Sequence, residues 1–344
     1  MFDFDLKEYL TTKHTLRFNE DGKFRILILA DPHGRLDMHP QLAPGIDVIV
    51  NHVLPDLVLL AGDVTGNKTG CENKEQLRRC LDEIVAPMET RRIPWAHVFG
   101  NHDADRGLTN EEQQPVYESY SYCVSKRGPR SIHGVGNYVL PIFRSDSDDV
   151  AFNIWGFDTH NDMCTFGMAY GLPEDLRWHI LPEHFAFGNH GEPLHTDQVL
   201  WYYCASKAIE AHFGRKIFGL MYLHMPLMEF CLIPRNPQQT QMTGQMREHV
   251  ACSELNTGMF AACLQRGDVK AIFSGHDHLN DFCGVYCGIM LGQCAGINYD
   301  AGSADDLRGG RVVEIHQDDP ARIHTFMVRL RSIMGEAADN RGRP

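Results

Sequence analysis

Short apolar runs alternate with helix-like segments over the first hundred residues of the chain. The runs Phe24–Ala30, Asp56–Ala61 and Trp95–Phe99 are typical of buried strands, and Gln41–Leu54 and Lys74–Arg91 are typical of helices. This β-α-β-α-β order predicts a parallel sheet with right-handed crossovers.

The remainder of the chain has a weaker pattern. The stretch 105–150 is rich in Gly, Pro, Ser and Tyr, which predicts an irregular insertion. Later elements are predicted as strands at Ala151–Phe157, Ile217–Leu223 and Val269–Phe273, helices at Asp197–Phe213 and Thr257–Arg266, and hairpin strands between 282 and 330. No repeat or change in composition marks a linker, so we expect a single α/β domain over residues 1–334 and a loose tail over 335–344.

Composition narrows the possible functions. The 344 residues include 45 acidic and 32 basic side chains, a net charge of −13, which argues against a nucleic-acid partner. The chain contains 19 histidines, an excess that suggests metal or proton-transfer chemistry. The first residues, MFDFDLKEYL, are not typical of a signal peptide, and no apolar run reaches spanning length. We therefore expect a cytoplasmic location and no membrane insertion.

Five polar motifs each follow an apolar run. They are Asp31-Pro-His33, Gly62-Asp63, Gly100-Asn101-His102-Asp103, His224 and Gly275-His276-Asp277-His278. The carboxyl ends of parallel strands share one sheet edge, where ligands bind. If each segment is extended, Asp31 and His33 point the same way, as do His276 and His278. Two carboxylates, an amide oxygen and several imidazoles suit Mn, Fe or Zn, and sequence does not decide among these metals.

This ordered set resembles the signature of the calcineurin-like metallophosphoesterase superfamily, from about Arg25 to Asn280. The longer stretches 93–103, 134–138 and 266–284 are most similar to its purple-acid-phosphatase-like branch, which includes fungal dosage-dependent cell-cycle regulator phosphatases. The resemblance implies two packed mixed β-sheets flanked by helices in a four-layer sandwich, with two metal ions at the sheet edges.

The resemblance also implies roles for individual residues. It assigns Asp31, His33, Asp63 and His278 to one metal, and Asp63, Asn101, His224 and His276 to the other, with Asp63 bridging. His102 would face the substrate, with Asn101 beside it. Purple enzymes carry Tyr where this chain has Gly66 and Gly where it has His33, so neither purple colour nor obligate ferric iron is implied. The group that orients His102 stays open between Asp103 and another loop residue.

These features predict hydrolysis of a small phosphoester, preferably a monoester. Two metal ions would polarise the phosphoryl oxygens and generate a shared hydroxide that attacks phosphorus, while His102 assists the leaving group. One alternative keeps the metals but makes the enzyme a phosphodiesterase for cyclic nucleotides or lipid headgroup diesters. Another is a non-catalytic, metal-stabilised binding scaffold. The oligomeric state stays open.

Several further residues are candidates for substrate contacts or surface positions. Asp158 and Tyr138 are possible substrate contacts, although a structural turn explains Asp158 equally well. Four irregularly spaced histidines are predicted to be solvated surface residues: His179, His184, His190 and His195.

Overall fold

Three parallel strands lie side by side on one half of the first sheet. The computed structural model describes residues 4–66, 71–105, 107–160, 192–253, 255–299 and 302–335. The strands of this sheet are β2 (Lys23–Leu29), β3 (Leu57–Ala61), β4 (Trp95–Val98), β11 (Gly309–His316) and β12 (His324–Arg329). Their order is β12-β11-β2-β3-β4, with β11 antiparallel to both of its neighbours. The β2-β3-β4 unit is parallel, as the sequence pattern predicts.

The second sheet has seven strands and also mixes both directions. Its strands are β1 (Leu16–Arg17), β5 (Tyr138–Phe143), β6 (Val150–Phe157), β7 (Gly219–Leu223), β8 (Val269–Ser274), β9 (Cys283–Tyr286) and β10 (Ile289–Gln293). Their order is β1-β5-β6-β7-β8-β10-β9. Strands β6, β7 and β8 are mutually parallel, so their carboxyl ends share one edge.

Helices cover the outer faces of both sheets. They are α1 (Leu6–Leu10), α2 (Leu42–Val53), α3 (Lys74–Arg91), α4 (Asn110–Glu118), α5 (Thr196–Phe213), α6 (Leu232–Arg235), α7 (Met259–Arg266) and α8 (Leu330–Met334). Helix α5 is capped by His195 at its start and by Gly214, in the left-handed region, at its end. Within the described ranges, no helix combines the length and apolar character needed to cross a membrane.

Alternation along buried strands produces the four layers. In β2, Ile26 and Ile28 join the hydrophobic cluster between the sheets, whereas Leu27 and Leu29 join the cluster under α2 and α3. Successive side chains of a strand point to opposite faces, so a strand buried on both faces supplies two cores. The predicted fold class, two packed mixed sheets flanked by helices, is confirmed.

Two regions differ from the sequence prediction. The stretch 105–150 is not irregular throughout, because it contains α4 and β5. A capping box between Thr109 and Glu112 starts α4, and the burial of Tyr117 fixes this helix against β4. The late hairpins separate: β9 and β10 extend the seven-stranded sheet, while β11 and β12 extend the five-stranded one. Sequence shows each hairpin but not which sheet edge receives it.

His97 in β4 packs against the 105–150 stretch and makes the stability of the fold depend on pH. Its ring stacks on Tyr117 with centroids 3.7 Å apart, and its Nδ1 lies 2.8 Å from Ser125 Oγ. Burial lowers the pKa of His97 to about 3, against about 6.5 in an unfolded chain. The folded state therefore excludes a proton that the unfolded state binds, and this contribution to stability falls as pH drops below 6.5.

We expect His97 to account for about 2 kcal/mol of stability lost between pH 7 and pH 5. The measurement is urea unfolding of metal-free wild type and His97→Gln at both pH values. Glutamine does not titrate, so between pH 7 and pH 5 the free energy of unfolding of wild type should fall by about 2 kcal/mol more than that of the variant. Parallel pH profiles would show that His97 does not carry this dependence.

Candidate metal centre

The five polar motifs meet where the two sheets adjoin. Asp31, Asp63 and Asn101 follow β2, β3 and β4 of one sheet, and His224 and His276 follow β7 and β8 of the other. The side chains of the first four are at most 1% exposed. Each motif follows a strand, as predicted, but the strands belong to two sheets, so the centre lies where two carboxyl edges adjoin and not along a single one.

One group of metal donors consists of Asp31, His33 and His278, with donor atoms within 4.8 Å of one another. The Nε2 atoms of His33 and His278 face each other at 3.1 Å, and His278 Nε2 lies 3.4 Å from Asp31 Oδ1. This Oδ1 is buried and accepts no hydrogen bond from any described residue. Asn298 donates from Nδ2 to the Asp31 carbonyl at 3.0 Å, a support that no sequence motif indicates. A bound cation would satisfy the unpartnered oxygen.

The second group consists of Asp31, Asp63 and His224. Asp63 Oδ2 lies 3.3 Å from His224 Nε2 and 3.6 Å from His33 Nε2, so it faces a donor of each group. Asn101 Oδ1 lies 2.8 Å from His224 Nε2. The His276 ring stands 5.1 Å from the His224 ring, and its backbone N–H donates to Asp31 Oδ2. These oxygen and nitrogen donors fit two divalent transition-metal ions.

Two buried carboxylates give the centre a preference for positive charge. Burial opposes ionisation of Asp63, yet the adjacent His224 outweighs it and lowers the pKa of this carboxyl well below its usual range. Burial also disfavours a charged His224, but the carboxylates of Asp63 and Asp31 raise its pKa to about 10. At His33 burial dominates and lowers the pKa to about 4. His33 is therefore neutral at physiological pH, the form that binds metal.

Four of these residues adopt left-handed backbone conformations. The φ angles are 55° at Asp31, 49° at His33, 47° at Asp63 and 71° at His276. Non-glycine residues rarely occupy this region, and each such residue costs about 1–3 kcal/mol. The premise that D-x-H and H-x-H are extended is therefore wrong, although Asp31 and His33 do converge. Sharp turns, and not strand alternation, aim the side chains inward.

Two glycines are required by close approach of neighbouring loops. A Cβ at Gly100 would lie 2.2 Å from Asp63 Oδ1. At Gly66, where φ is 114°, a Cβ would lie 2.0 Å from the carbonyl oxygen of His102. No side chain fits either position unless the loops shift. Gly66 stands at the position where the purple enzymes carry a tyrosine. Here the loop around Gly66 packs too closely against His102 for any side chain.

His102 lies at the edge of the centre and is held by an acid from its own loop. Its Nδ1 lies 2.8 Å from Asp105 Oδ2, and its side chain is 34% exposed. Its backbone N–H donates to Asp63 Oδ1 at 2.8 Å, which couples its position to the metal donors. The ring stands 5.6 Å from that of His33. Asp105, which sequence reasoning did not single out, is therefore the carboxylate that orients His102.

Asp103 points the other way and joins two loops of the centre. Its Oδ1 accepts from the Thr65 N–H and its Oδ2 from the Gly100 N–H, both at 2.8 Å. Burial, reinforced by the charge of Asp63, raises the pKa of Asp103 to about 7. Asp103 therefore fixes the loop after β3 against the loop after β4 and does not contact the His102 ring through any described hydrogen bond.

Asp103→Ala is expected to lower the free energy of unfolding by about 2–5 kcal/mol, because two buried N–H groups lose their acceptors. Asp103→Asn keeps one carbonyl oxygen, so its loss should be roughly half as large. Urea unfolding with a chelator present separates this effect from metal binding. An alanine variant as stable as wild type would mean that these bonds contribute little.

Tyr138 differs from the expectation of a substrate contact, whereas Asp158 has the turn role that the sequence allows equally well. Tyr138 is buried between the sheets, where its hydroxyl donates to the His97 carbonyl at 2.6 Å, so it is not exposed to a substrate. Asp158 accepts from the N–H groups of Val135 and His160 at 2.7 and 2.9 Å, which is the structural turn role. Of the four histidines predicted at the surface, His179, His184 and His190 lie outside the described residues, and His195 is mostly buried, with its side chain 12% exposed.

Comparison with known proteins identifies the family. A family model described as calcineurin-like phosphoesterase matches residues 24–280. Probable inactive purple acid phosphatase 14 of Arabidopsis thaliana is 29% identical over 337 residues, covering 88% of this chain and 77% of that protein. Phosphatase DCR2 of Saccharomyces cerevisiae is 26% identical over 298 residues, covering 79% of this chain and 47% of that protein.

A solved structure shares the same fold. A dimetal phosphatase from Danio rerio superposes with a TM-score of 0.52 and 14% identity, covering 88% of this chain and 98% of that one. The match of the family model over three quarters of the sequence, together with this fold, gives the assignment. The chain belongs to the calcineurin-like phosphoesterase family.

Proposed function

We propose that this chain hydrolyses small phosphoesters, preferably monoesters, at a two-metal centre. The observation that carries the proposal is the position of His102, partly exposed and paired with Asp105, at the edge of two buried donor groups that share Asp31. The donor groups account for metal binding, whereas an oriented and accessible imidazole beside them is suited to general acid catalysis.

The residues present fit two divalent ions. Asp31, His33, Asp63 and His278 would hold one ion, and Asp63, Asn101, His224 and His276 the other. When bound, such a pair supplies Lewis acidity toward the phosphoryl oxygens and lowers the pKa of water. Asp63 is suited to a shared position, since its Oδ2 faces His33 on one side and His224 on the other.

His102 carries out the proton transfer to the leaving group. The Asp105 carboxylate accepts a hydrogen bond from the Nδ1–H of His102, which leaves Nε2 to act on the substrate. Nε2 donates its proton to the leaving-group oxygen as the phosphorus–oxygen bond breaks. A charged imidazolium also offsets charge that develops on the phosphoryl oxygens. The bond from the His102 N–H to Asp63 keeps this ring in register with the metal donors.

The name of the yeast relative, a phosphatase, supports preference for monoesters, and a diesterase stays the second candidate. Three Arabidopsis relatives carry the words probable inactive in their names, which keeps the non-catalytic alternative open for this chain. In this chain the assembled donors and the His102–Asp105 pair support catalysis. The acidic net charge supports a small substrate over nucleic acid.

The test is a parallel assay of p-nitrophenyl phosphate and bis-p-nitrophenyl phosphate after reconstitution with Mn, Fe or Zn. We expect turnover with at least one metal, faster on the monoester, and loss of turnover on chelation. Faster turnover of the diester would establish the alternative substrate class. Metal-loaded protein inactive on both esters would refute catalysis and support a scaffold.

A further inference from the structure

Three histidines and two carboxylates gather around the start of α5, outside the candidate metal centre. We call this group the histidine cluster: His133, His160, Glu192, His195 and Asp197. Its members come from three segments, the loop before β5, the turn after β6 and the residues that lead into and begin α5. The rings of His133 and His195 stack at 4.0 Å, and those of His160 and His195 meet edge to face at 4.9 Å.

The cluster offers two overlapping sets of metal donors. One set is His133, His195 and Asp197, and the other is His160, Glu192 and His195. Within each set the donor atoms lie within 4.8 Å of one another. Each set contains two imidazoles and one carboxylate, a combination that binds Zn²⁺ and other borderline divalent ions.

A buried glutamine holds these donors in place. Gln198 is fully buried and donates from Nε2 to Asn137 Oδ1 and to the Asp158 carbonyl, both at 2.8 Å. Its Oε1 accepts from the His195 N–H at 2.7 Å and lies 2.9 Å from His160 Nε2. Because an amide oxygen only accepts, His160 carries its proton on Nε2 and keeps Nδ1 available as a ligand. Such outer hydrogen bonds are what orient metal-binding imidazoles.

Charge favours a cation over an anion in the cluster. Glu192 Oε1 lies 2.6 Å from His195 Nε2, and Asp197 Oδ2 lies 2.8 Å from His133 Nδ1. Two carboxylates this close to imidazole donors favour a divalent cation and disfavour a phosphate. The His133 side chain is 62% exposed, which gives an ion access from solvent.

We propose that the histidine cluster is a further divalent-metal site, selective for Zn²⁺-like ions and distinct from the candidate metal centre. His195 is the shared ligand, with His133 and His160 as the other imidazoles and Glu192 and Asp197 as the carboxylates. The ion ties the loop before β5 and the turn after β6 to the start of α5. Asp158 and Val135, which those segments carry, border an open groove with Ala104 and Gly107, next to the His102 loop. The site thus fixes one wall of that groove.

The experiment counts bound Zn²⁺ per chain after equilibrium dialysis, using elemental analysis of the intact protein. His195→Asn is the main variant, since asparagine keeps a good helix N-cap but is a poor Zn²⁺ ligand. His133→Ala, at an exposed position, is a second variant that does not threaten folding. We expect both to bind one Zn²⁺ fewer than wild type. The exposed His316→Asn should bind as many ions as wild type.

Asp63→Asn separates this proposal from the proposed function. In that background Zn²⁺ should still raise the melting temperature, and adding His195→Asn should abolish the shift. Equal Zn²⁺ counts in wild type, His195→Asn and His133→Ala would overturn the proposed site, whatever the catalytic activity. If Asp63→Asn instead loses no metal, the two-metal centre fails while the histidine cluster stands.

Discussion

Asp63→Asn is expected to reduce kcat/KM for phosphoester hydrolysis by about 10³-fold or more. Asp63 Oδ2 faces His224 and His33, and its Oδ1 accepts the His102 N–H, so one carboxylate connects both donor groups and the proton donor. The metal pair contributes several kcal/mol of transition-state stabilisation, and about 4 kcal/mol corresponds to a factor of 10³. An amide has the same shape but lacks the charge that retains the ions.

The measurement combines steady-state kinetics with bound metal per chain. Asp47→Asn is a matched control, because Asp47 is a half-exposed carboxylate paired with Arg91 on the helical face of the same sheet. It should keep both activity and metal. A fully loaded Asp63→Asn protein with activity within tenfold of wild type would exclude the shared-ligand role of Asp63.

His102→Asn is expected to lower kcat by about 10²–10⁴-fold on an alkyl phosphate and by much less on an aryl phosphate. An alkoxide is a poor leaving group and needs the proton from Nε2, whereas a nitrophenolate leaves without it. The variant should keep its full metal content, since Asn101 and Asp63 still occupy the same places. Wild-type turnover on both substrates would refute the assigned role of His102.

Asp105→Asn tests the His102–Asp105 pair through its carboxylate. If Asp105 acts through His102, its substitution should show the same leaving-group dependence at unchanged metal content. The double variant should then be scarcely slower than His102→Asn alone, because residues that act as a unit are not additive. Additive losses would assign Asp105 a separate function.

Sequence reasoning predicts that the motifs after β2, β3 and β4 meet, because their convergence depends only on topology within one sheet. The strand pattern does not show that the motifs after β7 and β8 belong to a second, adjoining sheet. Strands β2, β3 and β4 are predicted to be parallel because helices connect them. Side chains that follow parallel strands of one sheet lie at the same edge whatever the loop geometry. The local conformation was not predictable in this way. Asp31 and His33 converge through two left-handed residues, and nothing in a short D-x-H motif shows that turn.

The residues that sequence reasoning missed depend on how the chain turns and packs. Asp105 reaches His102 because the chain turns before α4, a helix whose capping box was present in the sequence but not recognised within the irregular stretch. Tyr138 was misplaced for the same reason, since recognising β5 would have shown it as a core position. The three rings of the histidine cluster are scattered in sequence, and only the packing of α5 unites them.

The left-handed turn at His33 places a metal donor where the backbone alone would favour glycine. A φ of 49° is a conformation that glycine adopts freely and histidine only at a cost. In the neighbouring loop, Gly66 stands where the chain closely approaches the His102 carbonyl oxygen, so here a glycine is at the tight contact and an imidazole is on the strained turn. A metal held through His33 is therefore bound at the expense of backbone stability in this loop.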